Sequence, residues 1–292
     1  MISKLENDFL AVEINSLGAE LNSIKSKKTG IEYLWQGNPE FWKDKSPILF
    51  PICGRLFGGK YTHCGAEYEM PIHGIARLFD LDYKKVSDRE IEFYFKSSEQ
   101  TKSYYPFDFD FTIRYALDGE CLKTEFIVVN TGKEQMYFSY GGHPGFNVPF
   151  NGGEKFEDYY LEFKEDKLTR LVFSPTCFCT GKSEEFILDN KKLALRHNLF
   201  DNDALFFELK ADTVKLKSQT HKNSVEVTFD DMTVLGLWHK PKADAPYVCI
   251  EPWHGVPSTD GVVDDIKTKN EMIKLDVNGK YENYYTIKII EG

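Results

Sequence analysis

The chain has 292 residues, of which 41% are hydrophobic and 15% aromatic, and its formal net charge at pH 7 is -10. This composition is ample for a sizeable hydrophobic core, so it excludes intrinsic disorder. The acidic balance argues against binding to nucleic acid or to an anionic membrane, and the absence of a long apolar run excludes a transmembrane helix.

Apolar residues at every second position dominate the chain, with one short helical turn expected first, at 39–44. The alternation predicts strands at 88–97, 107–117, 121–130, 158–164 and 224–231. A second helical turn is expected at 261–269. No linker or repeat divides the chain. We therefore predict one all-β domain over residues 1–292, a large antiparallel β-sandwich.

The N-terminus and the cysteines indicate the compartment. The first residues include several acids and no apolar signal segment, so no signal peptide is expected. The six cysteines are scattered and form no CxxC pair. We expect a cytoplasmic protein whose thiols are reduced.

Four segments punctuated by glycine and proline carry the residues best suited to chemistry. They place Arg55 in PICGRLFGG, His73 and Arg77 in MPIHGIARLFD, His143 in YGGHPGF, and Glu251 in YVCIEPWHG. Glu251 follows an apolar strand-like run, where partial burial raises a carboxyl pKa. A histidine near its ordinary pKa of about 6.5 and such a carboxyl group form a plausible general acid and base.

Aromatic residues near these segments extend the hypothesis. Trp253 and Trp238 are predicted to offer an apolar face to a sugar ring, although core packing is the commoner role of tryptophan. Other chemistries find less support, since no G-x-S-x-G elbow, P-loop, dinucleotide fingerprint or HExxH motif is present. A metal site would need distant ligands to converge. A glycosidase needs a second carboxylate as prominent as Glu251.

Several of these motifs, in this order, resemble the aldose 1-epimerase (galactose mutarotase-like) superfamily. The resemblance runs through VEINSLGAELNSIKSKKTGIEYLWQGNPEFW, HGIAR, GGHPGFNVP, LFDNDALFF and EPWHG, and covers nearly the whole chain. It implies a β-supersandwich fold and interconversion of the α and β anomers of a sugar. In that family His143 matches the general acid for the ring oxygen, and Glu251 the general base for the C1 hydroxyl. The resemblance implies no metal and no organic cofactor.

The resemblance also implies the sugar-binding residues. His73 and Arg55 match residues that contact the sugar, and Asp203 matches an aspartate that binds ring hydroxyls, with Asp201 as an adjacent alternative. HGIAR looks more like the hexose-6-phosphate mutarotase branch, in which Arg77 would be a phosphate ligand. Whether the sugar is phosphorylated is left open at this point.

The expected partner is therefore a small sugar, a hexose or hexose phosphate, and neither nucleic acid nor a membrane. The oligomeric state is expected to be a monomer or homodimer. Two other functions compete with the epimerase: a non-catalytic carbohydrate-binding protein with the same cleft, and a glycoside hydrolase or lyase on the same sandwich.

Overall fold

A computed structural model describes residues 1–209 and 211–292, and most of the chain lies in antiparallel strands and the turns between them. The strands of the first half are β1 (Ile2–Glu6), β2 (Leu10–Asn15), β3 (Glu20–Ser26), β4 (Ile48–Leu49), β5 (Lys60–His63), β6 (Ala66–Glu69), β7 (Asp82–Ser87), β8 (Glu90–Lys96), β9 (Phe109–Asp118), β10 (Cys121–Asn130), β11 (Met136–Phe138) and β12 (Tyr140–Gly142).

The second half of the chain contains the remaining strands. They are β13 (Gly145–Asn147), β14 (Tyr159–Glu162), β15 (Lys167–Phe173), β16 (Cys179–Ile187), β17 (Lys192–Ala194), β18 (Leu205–Glu208), β19 (Ala211–Ser218), β20 (Ser224–Asp230), β21 (Val234–Trp238), β22 (Tyr247–His254), β23 (Ile273–Leu275) and β24 (Lys280–Ile290). The helical elements are α1 (Glu99–Lys102) and the 3₁₀ turns Phe57–Gly59, Ala76–Leu78, Phe156–Asp158 and His197–Phe200.

Two large sheets form the body of the molecule. The first has nine strands in the order β17-β14-β19-β20-β24-β10-β9-β8-β7. The second has eight strands, in the order β16-β15-β18-β21-β22-β12-β4, and its β13 also pairs with β22. Smaller sheets are β1-β2-β3, β5-β6 and β11-β23. The paired strands are antiparallel, so the predicted all-β antiparallel sandwich is confirmed.

The sequence alternation explains why the strands form and which face each one buries. In β9 every second side chain is buried from Phe109 to Leu117, and the side chains between them are half-buried. Since successive residues of a strand point to opposite faces, this pattern gives one core face and one outer face. The five predicted strands correspond to β8, β9, β10, β14 and β20.

One continuous hydrophobic cluster connects the two large sheets. It includes residues near both ends of the chain, such as Leu5 and Ile289, and aromatic residues between them such as Phe50 and Phe126. Phe50 stacks on Phe111 of the nine-stranded sheet with ring centroids 4.4 Å apart. The single-domain organisation stays a prediction that this shared core favours.

The two segments expected to form helical turns form hydrogen-bonded turns that are not part of a helix. In the first, the N–H groups of Phe41 and Trp42 both donate to the carbonyl oxygen of Asn38. In the second, the N–H groups of Thr268 and Lys269 donate to the carbonyl oxygen of Asp265. Across residues 1–209 and 211–292, no helix is long and apolar enough to cross a membrane.

Candidate active site

His143 lies between β12 and β13, and the glycines around it let the backbone pass close to large side chains. A Cβ atom on Gly141 would lie 2.7 Å from Cδ1 of Trp253, and one on Gly142 would lie 2.6 Å from Oη of Tyr285. Such distances are shorter than real Cβ contacts, so both positions require glycine. The imidazole is thereby held beside β22 of the eight-stranded sheet, and His143 is 7% exposed.

Glu251 lies within β22, which continues to His254. The expectation that it ends a strand is therefore wrong: the run of buried residues extends past Pro252 to Trp253. Directly across on β21 is Gly236, where a Cβ atom would lie 3.3 Å from Cβ of Glu251. The absence of a side chain there leaves room for the carboxyl group, which is 1% exposed.

These two side chains meet. Nε2 of His143 lies 3.2 Å from Oε2 of Glu251. Nδ1 of His143 and Oε1 of Glu251 are buried and have no hydrogen-bond partner among the described residues. Because unpaired buried polar atoms are unfavourable, this pair is suited to accept hydrogen bonds from or donate them to a bound ligand.

Burial decides the protonation of the pair. It raises the pKa of Glu251 well above 4.5, and the nearby charge of Asp203 adds to the rise. Burial also lowers the pKa of His143 to about 3, so the expectation of an imidazole near its ordinary pKa is wrong. The expected rise for Glu251 has the predicted direction, with complete instead of partial burial as its cause. Both shifts favour the state in which the carboxyl group of Glu251 carries a proton and the imidazole of His143 is neutral.

His73 packs beside the pair in a strained backbone conformation. Its φ is 66°, and its ring lies edge-on to His143 with centroids 5.2 Å apart. The N–H of Gly54 donates to Nδ1 of His73 at 3.2 Å, so the neutral ring carries its proton on Nε2. Burial, followed by the charges of His143, Arg77 and Arg55, lowers the pKa of His73 well below 6.5. The ring is therefore a neutral hydrogen-bond donor.

Arg55 and Asp203 approach each other across the cavity. Nη2 of Arg55 lies 3.5 Å from Oδ2 of Asp203, and the thiol of Cys177 donates to the same oxygen at 2.7 Å. The backbone N–H of Ala204 donates to Oδ1 of Asp203. Asp203 lines the cavity, whereas the neighbouring Asp201 is exposed and outside the lining.

Arg77 lines another wall of the same cavity. It lies in the 3₁₀ turn Ala76–Leu78, and its Nη2 pairs with Oδ2 of Asp44 in a close, largely buried contact. The preceding Gly74 has φ 76°, and a Cβ atom there would lie 2.2 Å from the carbonyl oxygen of Phe50. This close approach explains the glycine in the HGIAR segment.

The cavity has a volume of about 330 Å³ and brings together all the residues selected from the sequence. They are Arg55, His73, Arg77, His143, Asp203, Trp238, Glu251 and Trp253. Sequence reasoning missed several lining residues, among them Trp42 and Cys177. Trp42 lies over His143 with ring centroids 4.9 Å apart. Its position in the EFW segment was the available signal, but a tryptophan is by default assigned to the core.

A metal site was expected to need the convergence of distant ligands, and in the described ranges ligand atoms of the kind that bind metals lie close together at two places. One group is His143, Cys249 and Glu251, whose ligand atoms lie within 4.8 Å of one another, and the other is His63, Cys64 and Glu134. In the first group, burial raises the pKa of Cys249 well above 9. Because the thiolate is the metal-binding form, this burial weakens the group as a metal site.

Comparison with known proteins gives consistent matches. The family model described as aldose 1-epimerase matches residues 1–267. The plasmid-encoded protein LacX of Lactococcus lactis subsp. lactis is 34% identical over 296 residues, which cover 96% of this chain and 97% of LacX. The X-ray structure of a galactose mutarotase related enzyme from Lactobacillus acidophilus has a TM-score of 0.95 at 34% identity, covering 100% of this chain and 98% of that one. A Salmonella typhimurium protein provisionally named glucose-6-phosphate 1-epimerase is 29% identical over 47% of this chain and 48% of its own.

Proposed function

The chain belongs to the aldose 1-epimerase family, and from that premise we propose that it interconverts the α and β anomers of an aldose or aldose phosphate. The observation that carries the proposal is the buried contact of 3.2 Å between Nε2 of His143 and Oε2 of Glu251, in the wall of a cavity of about 330 Å³. The names of the Lactobacillus acidophilus and Salmonella typhimurium relatives support the same chemistry.

Ring opening needs an acid at the ring oxygen and a base at the C1 hydroxyl. Protonated His143 gives its proton to the ring oxygen while ionised Glu251 removes the hydroxyl proton, and the bond between C1 and the ring oxygen breaks. The products are an open-chain aldehyde, a neutral imidazole and a protonated carboxyl group. Each proton transfer of this kind contributes a factor of about 10²–10⁴ to the rate.

Reclosure reverses these transfers on the other face of the carbonyl group. Rotation about C1–C2 presents that face, Glu251 returns its proton to the carbonyl oxygen, and His143 takes the proton of the attacking hydroxyl. The pair holds one proton at every stage, so no proton is exchanged with solvent. In the free protein burial favours this proton on Glu251, because it raises the pKa of Glu251 and lowers that of His143. The direct contact allows the transfer that prepares the acid and the base.

The other cavity residues would bind and orient the sugar. His73 offers its Nε2–H to a sugar oxygen near the reacting centre, and Arg55 with Asp203 binds ring hydroxyls. Trp42 and Trp253 provide apolar faces for the C–H surfaces of the ring. Holding the sugar in this way restricts it to the geometry in which both proton transfers occur.

The test is the rate at which freshly dissolved α-glucose, α-galactose and their 6-phosphates reach anomeric equilibrium, followed by polarimetry or NMR. The wild-type protein is expected to accelerate at least one of them over buffer, and Glu251→Gln is expected to lose the acceleration. Equal rates for the two proteins would reject the proposal for these sugars. Binding without acceleration would instead indicate a carbohydrate-binding protein, and cleavage of oligosaccharides would indicate a hydrolase.

A further inference from the structure

Arg77 separates the substrate cavity from a second, smaller groove. The groove has a volume of about 260 Å³, and its lining includes Arg77, Asp44, Glu20 and Lys43. The guanidinium of Arg77 and the carboxylate of Asp44 form an ion pair in which the side chains are 25% and 19% exposed. Among the residues that the structure describes, Arg77 makes no other side-chain hydrogen bond. The cation at this wall of the cavity therefore already has an anionic partner.

The backbone on both sides fixes this ion pair. Oε1 of Glu20 accepts hydrogen bonds from the backbone N–H groups of Lys45 at 2.7 Å and Ser46 at 3.1 Å. Because these residues directly follow Asp44, the bonds hold the Asp44 segment beside Arg77. On the other side, Gly18 lies so close that a Cβ atom there would approach Cα of Arg77 to 2.7 Å. Neither partner is on a segment free to move away.

Arg77 lies toward the end of the cavity where the C6 group of a hexose is expected. In an aldohexopyranose, C6 is bonded to C5, the carbon that also carries the ring oxygen. In the proposed reaction His143 protonates that oxygen, so the C6 group lies on the His143 side of the ring. Pro47 connects the two sites, because its carbonyl oxygen accepts a hydrogen bond from the N–H of His143 at 3.2 Å and the same residue lines the groove beside Arg77 and Asp44. A 6-phosphate would therefore lie near the ion pair of Arg77 with Asp44.

The charges of the site offer a phosphate no net attraction. Arg55 and Arg77 line the cavity, and Asp203 is the partner of the first. Burial favours a neutral pair of His143 and Glu251, because it disfavours the charged form of each side chain. Asp44 then balances Arg77, and no lysine occurs in the cavity lining within residues 1–209 and 211–292.

We propose that Asp44 makes this site selective for uncharged aldoses over aldose 6-phosphates, an inference that rests on the proposed epimerase function. A guanidinium binds phosphate oxygens through its fork of N–H donors, but here Asp44 occupies part of that fork. A phosphate would have to displace the carboxylate or lie beside it, and both arrangements are unfavourable for a dianion. An aldose with an uncharged C6 hydroxyl group does not experience this repulsion from Asp44.

The kinetic test compares glucose with glucose 6-phosphate, and galactose with galactose 6-phosphate, for the wild type and Asp44→Asn. The wild type is expected to have the higher kcat/KM on the uncharged sugars. Asp44→Asn is expected to raise the ratio of phosphosugar to free-sugar kcat/KM by at least about tenfold, because it frees Arg77 without a large change in shape. Asp44→Glu keeps the charge and is expected to keep the wild-type preference.

Asp110→Asn is the matched control, because it removes one partly exposed carboxylate, paired with Lys96, in β9 of the nine-stranded sheet. Its ratio is expected to stay within about twofold of the wild type, since Asp110 lines neither the cavity nor the groove and solvent screens its charge. A wild-type preference for the phosphosugars would overturn the inference while leaving the epimerase function intact. An unchanged ratio in Asp44→Asn would overturn it as well.

A binding measurement separates failure of this inference from failure of the proposed function. If the wild type accelerates the reaction of no sugar, calorimetric titration with glucose and with glucose 6-phosphate still measures the selectivity, as the ratio of the two dissociation constants. Weaker binding of glucose 6-phosphate to the wild type, reversed or reduced in Asp44→Asn, supports the role of Asp44. Tighter binding of glucose 6-phosphate to the wild type, or equal selectivity in both proteins, contradicts it.

Discussion

Replacing Glu251 with glutamine is expected to stabilise the fold while removing its activity. The carboxyl group is 1% exposed, and burial raises its pKa well above 4.5. A group whose pKa is higher in the folded state contributes stability that is fully present below its unfolded pKa and is lost as the pH rises toward the folded pKa. The contribution of Glu251 to the stability of the wild type therefore decreases as the pH rises above about 4.3, the ordinary pKa of glutamate.

The size of the effect follows from the linkage between pKa and stability. Each unit of pKa difference corresponds to about 1.4 kcal/mol once the pH exceeds the folded pKa. Glu251→Gln does not titrate, so at pH 8 its free energy of unfolding is expected to exceed that of the wild type by at least about 1 kcal/mol. For a chain of this size, the midpoint of thermal unfolding rises by about 2–4 °C per kcal/mol.

The assay is thermal unfolding of both proteins at several pH values between 4 and 8, followed by circular dichroism. The stabilisation is expected to grow with pH and to vanish near pH 4. Glu157→Gln, which replaces an exposed carboxylate, is the control and is expected to show no such trend. A Glu251→Gln protein less stable than the wild type at pH 8 would refute the inference that burial keeps Glu251 protonated at a cost in stability.

Three further predictions concern the acid, a glycine and a cavity thiol. Because burial lowers the pKa of His143 to about 3, the acid limb of the kcat/KM profile is expected below about pH 5, and a limb near pH 6.5 would contradict this. Gly74→Ala places a Cβ atom 2.2 Å from a carbonyl oxygen, so urea unfolding is expected to show a loss above about 3 kcal/mol, against about 1 kcal/mol for Gly30→Ala. The two glycines have nearly equal φ, so equal losses would exclude close approach as the cause. Cys177→Ala removes the donor to Asp203 and is expected to raise KM about fivefold with little change in kcat, whereas Cys177→Ser restores KM; an unchanged KM in the alanine variant would rule out this role.

The fold was predictable because the alternation of apolar residues in the sequence corresponds closely to the alternation of buried side chains in the strands. In β9 and β10 the residues that alternate in the sequence are the ones that alternate in burial. The short strands β4, β12 and β13 were not predicted, since two or three residues carry no measurable period. The glycines of β12 and β13 and the pairing of these two strands with β22 bring His143 to Glu251, and β4 pairs with the other edge of β12.

The residues of the candidate site were predictable from the sequence, but their pKa values and ion pairs were less so. Family resemblance selected residues that all line one cavity, yet the low pKa of His143 depends on tertiary burial that local sequence does not encode. The ion pair of Arg77 with Asp44 joins residues 33 positions apart, and Asp44 belongs to no motif. The contact of Cys177 with Asp203 likewise forms only when separate loops meet.

The central claim is that His143 and Glu251 act as one proton-transfer pair, and a double-mutant cycle on the rate of anomer exchange tests it most directly. His143→Gln and Glu251→Gln are each expected to lower kcat by a factor of about 10²–10⁴. Because the two residues act on one shared proton, the double variant is expected to be no more than about tenfold slower than the slower single variant. Losses that multiply in the double variant would show that the two side chains act independently and would contradict the claim.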